Sequence, residues 1–114
     1  MIMFHGWNDP ALSAFSTISY YEDVQKKDSD VQSYIRLFLL PGVLHCAGGP
    51  GPDQVDWLTS IQDWVEHGKA PERVVMTKKK DGKISMTRPV FPYPKVAVYN
   101  GKGDTNIETS FSGK

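Results

Sequence analysis

The sequence predicts an α/β chain: the last strand–helix units of an open parallel sheet, followed by a small β-hairpin extension and incomplete as a stand-alone domain. Three observations predict it. Two apolar runs, Ile2–Phe4 and Tyr34–Leu40, stop at the loop signals His5-Gly6 and Pro41-Gly42. A segment of helical period follows each run, and strands alternating with helices imply a parallel sheet. Beyond residue 70 the pattern changes to two β-prone runs around Lys80-Asp81-Gly82. Residues 1–114 are therefore read as one partial domain, with the strand–helix units in 1–70 and the β-rich extension in 71–114.

Each element follows from local chemistry. Ile2–Phe4 is a short buried strand entering a loop. Ser13 is expected to cap a helix through about Gln25, with Phe15, Ile18, Tyr21 or Glu22, and Val24 as its stripe. Asp28, Ser29 and Asp30 mark a loop. Tyr34–Leu40 is apolar on both faces at its end, which suits a sandwiched parallel strand. Residues 47–52, Ala-Gly-Gly-Pro-Gly-Pro, cannot be regular structure. Asp53 is expected to cap a second helix carrying Val55, Leu58, Ile61, Trp64 and Val65, ended by Gly68 with Pro71 beyond it. Arg73–Lys78 and Lys83–Arg88 form the predicted hairpin, and Lys78, Lys79 and Lys80 read as its solvated end. Pro89, Pro92 and Pro94 keep the next segment extended and out of a central strand. Val96–Tyr99 is a short edge strand. The polar tail from Gly101 is read as loose, with Phe111 as its anchor. A parallel strand beginning at residue 2 is a bare edge unless something else pairs with it.

Composition narrows the function classes. Thirteen lysines and arginines balance thirteen aspartates and glutamates, so nothing electrostatic favours nucleic acid or an anionic membrane as partner. No stretch approaches the roughly 20 apolar residues of a membrane helix. Residues 1–9 do not read as a cleavable leader. One cysteine cannot form an internal disulfide.

The chemistry is carried by two loops. Asp9 follows the first strand and His45 follows the second, and open α/β sheets gather catalytic groups at the carboxyl ends of their strands. In α/β-hydrolases the triad runs Ser, then Asp or Glu, then His. Asp9 before His45 fits the last two members, with the serine expected upstream of Met1. Other readings carry less. His5 could join Asp9 and His45 as a metal ligand, but no further ligand spacing supports it, so His5 is read as a hydrogen-bonding neighbour of the aspartate loop. His67 suits a helix C-terminus. Gly48-Gly49-Pro50-Gly51 is a poor phosphate cradle, because proline removes an amide donor. Trp57 and Trp64, seven apart, read as packing residues. Cys46 is a poor candidate nucleophile, because adjacent side chains rarely aim at each other.

The wording around the two loops adds more. His5-Gly6-Trp7-Asn8-Asp9-Pro10 closely resembles the aspartate motif of the tannase and feruloyl esterase family, and the residues from Arg36 to Pro52 resemble its histidine motif. Trp64–Pro71 and Arg88–Pro94 resemble its C-terminal signatures, in the same order. The resemblance runs from Ile2 to about Phe111. It implies a serine α/β-hydrolase cleaving esters of aromatic acids such as gallate or ferulate, with relatives acting on a terephthalate monoester. It implies Asp9 as the triad carboxylate, His45 as general base and acid, and Cys46 as disulfide partner of an upstream cysteine that precedes the serine. Such enzymes are usually secreted or periplasmic; this sequence by itself leaves localisation unknown.

Departures from the pattern shape the expectation. No Gly-x-Ser-x-Gly occurs, and no serine here follows a cysteine. The family's lid domain, which shapes the acid pocket and holds calcium, has no counterpart in the sequence, so no cofactor is expected in this chain. Many relatives carry cysteines where Phe91 and about where Ser112 stand; here both are replaced together. The expectation is thus a C-terminal piece of an aromatic-ester hydrolase, inactive alone, from a truncated or split enzyme and completed by an upstream fragment carrying Ser and Cys. The alternative is a non-catalytic interaction module that pairs, or self-associates, through its exposed first strand.

Overall fold

The computed structural model describes all 114 residues. Strand β1, Ile2–Gly6, pairs in parallel with β2, Arg36–Leu40, from Ile2 opposite Arg36 to Gly6 opposite Leu40. Parallel neighbours need a crossover, and helix α1, Ala14–Lys27, supplies it. Ser13 is its N-cap, accepting from the Phe15 amide at 3.3 Å. The helix runs two residues past the expected Gln25, and Lys26 and Lys27 place their charges against the negative end of its dipole. A one-turn 3-10 helix, Val31–Ser33, precedes the run read as strand, and the strand itself starts two residues into that run, at Arg36.

Strand β2 is the centre of the molecule, with its residues alternating between two clusters. Leu37 packs with Ile18, Tyr21, Val31 and Ile35 on the α1 side. Phe38 and Leu40 pack with Val43, Val74, Met76 and Val90 on the other. Leu37 and Phe38 are 0 % exposed, the sandwiched strand that a continuous apolar run implies. The outer edge of β2 is covered by an isolated bridge from Pro92 and by Tyr93, whose amide donates to the Leu37 carbonyl at 2.8 Å. The outer edge of β1 has no strand partner within the chain.

Helix α2 spans Trp57–His67 and ends at Gly68 in the left-handed conformation, φ +67°. Its cap is Asp56, which accepts from the Thr59 amide, and not Asp53. Val55 therefore lies before the helix. The expected stripe is only partly used: Ile61 and Trp64 are half-buried, whereas Leu58 and Val65 are exposed. In α1, Phe15 faces outward too, with its ring edge-on to Trp7.

Strands β3, Val74–Lys80, and β4, Lys83–Val90, form the hairpin. Asp81 and Gly82 both have positive φ, 52° and 75°, as a tight two-residue turn requires. The hairpin runs two residues past the expected Arg88, so Pro89 lies inside β4 opposite Val75, extended and in an edge strand of a two-stranded sheet, as expected of it. A strand with one free edge has a side on which a missing amide costs nothing. The tail is not loose: Phe111–Gly113 forms β6, antiparallel to β5, Ala97–Tyr99. Phe111 does anchor it, under the Arg88 guanidinium at 4.0 Å and against Tyr99. Phe91 packs on Gly113. No helix is long and apolar enough to cross a membrane.

Candidate active site

The parallel pairing of β1 and β2 continues into the loops beyond them. The Trp7 amide donates to the Leu40 carbonyl at 3.0 Å, and the Asn8 amide to the Val43 carbonyl at 2.9 Å. Gly6 makes this approach possible: a Cβ there would lie 2.1 Å from the Leu44 carbonyl oxygen. The Asp9 and His45 loops are thereby held side by side.

Asp9 is fixed first by its own loop. Its Oδ1 accepts from the amides of Ala11 and Leu12 at 2.8 and 2.9 Å, an Asx-type turn after Pro10. Its Oδ2 lies 2.7 Å from His45 Nδ1. The carboxylate is only 1 % exposed, yet its pKa falls from 3.8 to about 2. The Leu12 amide is the largest cause; burial opposes it, and the Ala11 amide and His45 add to the lowering. An ionised carboxylate only accepts, so His45 carries its proton on Nδ1. Its Nε2 makes no hydrogen bond within the chain, and the imidazole is 55 % exposed. When neutral, the ring therefore offers a lone pair to whatever approaches from solvent.

His5 sits behind the carboxylate. Its Nε2 faces the Leu12 carbonyl at 3.1 Å and Asp9 Oδ2 at 3.4 Å, while Nδ1 meets the Thr17 hydroxyl at 2.7 Å. A carbonyl cannot donate, so Nε2 carries a proton, and Nδ1 shares a hydrogen bond with the Thr17 hydroxyl, which can donate or accept. His5 thus braces the turn that carries Asp9. The two imidazoles point at carboxylate oxygen, not at a common ligand position, and no group of three His, Cys, Asp or Glu side chains could hold a metal ion.

Cys46 is free and exposed beside His45. Trp57 and Trp64 pack away from the dyad, Trp57 stacked on Phe4 at 4.8 Å and Trp64 beneath Arg36. His67 contacts Asp63 at the end of α2. Alongside Asp9 is a depression of about 320 Å³ bounded in part by Trp7, Leu12 and Phe15.

Two residues that shape the site were read differently in the sequence. Asp53, expected as a helix cap, accepts from the Gly48 amide at 2.7 Å and braces the histidine loop. The placement of Asp56 directly before Trp57 was the signal that separated the two aspartates. Lys78, expected at the solvated end of the hairpin, turns back to donate to the Gly49, Pro50 and Gly51 carbonyls, leaving only Lys79 and Lys80 exposed. Nothing in the sequence marks which lysine turns inward.

Residues 1–113 match the family model described as tannase and feruloyl esterase. The chain is 44 % identical over 115 residues to the mono(2-hydroxyethyl) terephthalate hydrolase of Piscinibacter sakaiensis, covering 98 % of this chain and 19 % of that protein. It is 30 % identical over 131 residues to feruloyl esterase B of Aspergillus niger, covering 98 % of this chain and 25 % of the relative. It superposes on the crystal structure of feruloyl esterase B from Aspergillus oryzae with a TM-score of 0.92 at 27 % identity, covering 99 % of this chain and 26 % of that one. The chain spans about a fifth to a quarter of the length of these relatives and corresponds to their C-terminal part.

Proposed function

From the premise that this chain belongs to the tannase and feruloyl esterase family, we propose that it supplies the Asp–His half of a carboxylic ester hydrolase acting on aromatic-acid esters. The observation that carries the reading is the 2.7 Å contact between Asp9 Oδ2 and His45 Nδ1, with Nε2 left open to solvent. A serine hydroxyl beside Nε2 would lose its proton to His45 as it attacks the ester carbonyl. His45 would then return the proton to the departing alcohol. Asp9, held ionised by the Leu12 and Ala11 amides, keeps the imidazole in the useful tautomer and stabilises its charged form. The exposed rings of Trp7 and Phe15 and the side chain of Leu12, beside the carboxylate, suit an aromatic acyl group.

No serine of this chain stands in a nucleophile motif, so the nucleophile and oxyanion donors come from another stretch of polypeptide. Cys46, free and exposed next to His45, is the thiol that would bridge to it. The unpaired edge of β1 is where that polypeptide would add its sheet. Around it lies an apolar surface formed by Met1, Ile2, Phe4, Trp57, Ile61 and Val65.

The purified chain is expected to hydrolyse neither methyl ferulate nor methyl gallate above background. Activity should appear on mixing with a fragment of a relative that carries the Cys-Ser nucleophile, and should vanish with His45→Ala. Turnover by the isolated chain that His45→Ala abolishes would overturn the division of labour. A second reading rests on the same open edge and apolar surface: a non-catalytic module that pairs with another chain. Size-exclusion chromatography separates the two. Association that persists without restoring hydrolysis favours the module.

A further inference from the structure

The loop bearing His45 is built from residues that ordinarily leave a chain free. Gly42, Gly48, Gly49 and Gly51 fall between Pro41 and Pro52, and three of these glycines have positive φ. In the structure this loop is a closed and fastened ring. The Leu44 amide donates to the Gly48 carbonyl at 3.1 Å, closing five residues with His45 inside. The Gly51 amide donates to the Gly42 carbonyl at 2.9 Å. Those bonds leave the carbonyls of Gly49, Pro50 and Gly51 without a backbone donor. All three converge on one atom, Lys78 Nζ, at 2.5, 3.2 and 3.2 Å. An ammonium has three hydrogens and no acceptor, so the number of donors equals the number of orphan carbonyls.

The aim of that side chain is also built in. The register of the β3–β4 pair shifts between Lys78 and Lys79. A bulge re-aims the side chains around it. One residue earlier, Thr77 exchanges two backbone hydrogen bonds with Gln54, at 2.8 and 3.1 Å, which fixes the far end of the same loop to β3. Lys79 and Lys80, past the bulge, remain in solvent.

We propose that Lys78 is a positioning residue for His45: its ammonium gathers the Gly49, Pro50 and Gly51 carbonyls and so fixes the ring that aims the imidazole at Asp9. The β-hairpin extension is then a platform for the histidine loop as well as a cover for the core. This rests on the reading of Asp9 and His45 as a proton-handling pair. A loop of glycine and proline lets Leu44 and Gly48 pack closely but cannot hold itself still. The lysine supplies the missing rigidity from a neighbouring strand, where displacements of 1 Å in a catalytic group cost on the order of 100-fold in rate.

The test uses the full chain, isotopically labelled, and reads the Nδ1 proton of His45 by NMR. In the unsubstituted chain this proton should be strongly deshielded and slow to exchange, and Asp9→Ala should abolish it. Lys78→Met keeps the length and apolar stem of the side chain and removes the ammonium. It should speed exchange of that proton by about tenfold or more, as expected on losing at least one charge-assisted hydrogen bond. Lys79→Met should leave it unchanged. Backbone resonances of β3 and β4 report whether the hairpin stays folded; if Lys78→Met unfolds it, the neutral but polar Lys78→Gln is read instead. A folded variant whose His45 proton exchanges within twofold of the unsubstituted rate overturns the role of Lys78 and leaves the Asp9–His45 pair standing. Absence of the deshielded proton from the unsubstituted chain overturns the pair itself, and the positioning role with it.

Discussion

Gly6→Ala should break the site while leaving most of the fold in place, and the structure sets the size of the effect. Gly6 is buried at the last paired position of β1 and does not have positive φ, so an alanine there is not strained by its backbone. The cost is contact alone. The new methyl would meet the carbonyl oxygens of Leu44 and Val43 at 2.1 and 2.4 Å, both backbone atoms that cannot rotate aside. Opening the closer contact to 3.0 Å, the lower limit for real Cβ contacts, requires about 0.9 Å of movement. Taken up along the 2.7 Å Asp9–His45 contact, that movement gives about 3.6 Å, outside hydrogen-bond range. Overpacking of this kind also lowers stability by about 1–3 kcal/mol. The expected result is a chain that melts earlier but retains its fold, with the deshielded His45 proton lost. In the completed enzyme, kcat should fall by about 100-fold. Retention of the His45 signal with an unchanged denaturation midpoint would refute the claim that Gly6 sets the distance between the two loops.

Three further outcomes are expected. Because the pKa of Asp9 in the folded chain, about 2, lies below its ordinary 3.8, its contribution to stability is present above 3.8 and is lost as pH falls through 3.8 toward 2; a carboxyl NMR titration with a midpoint near 4 would contradict this. Arg36 is buried with Nε and Nη1 unpartnered and only Glu72, itself exposed, in an ion pair at 2.7 Å. Arg36→Met should therefore change unfolding free energy by less than about 1 kcal/mol, whereas Glu72→Gln, which removes the charge opposite a buried cation, should cost about 1–3 kcal/mol; urea denaturation would show whether that order is reversed. Phe38→Ala, at a fully buried position packed against Trp57, should cost about 3–5 kcal/mol and leave the chain largely unfolded at room temperature, measurable by circular dichroism.

Much of the fold could be read from the chain because its signals are local. The apolar runs, Ser13, Gly68 and Asp81-Gly82 each act within a few residues of themselves, and each sits in the structure where its chemistry requires. Where two local signals competed, the sequence misled: Asp53 and Asp56 are both plausible caps, and only Asp56 meets an orphan amide of α2. The positions of Asp9 and His45 after consecutive strands were legible as well, because parallel strands bring their carboxyl ends to one edge.

The sequence by itself determined which residues could handle a proton, which family wording surrounds them, and that they lie at neighbouring strand ends. Only the tertiary structure decided the rest: that Asp9 and His45 are 2.7 Å apart, that Gly6 is what lets their loops close, and that Lys78 reaches back 27 to 29 residues to three carbonyls of the histidine loop. The reason is physical. Helix caps, turns and apolar periodicity are satisfied by near neighbours in sequence. An ammonium seeking carbonyl acceptors, or a glycine making room for another strand's backbone, is satisfied by whatever the fold brings beside it.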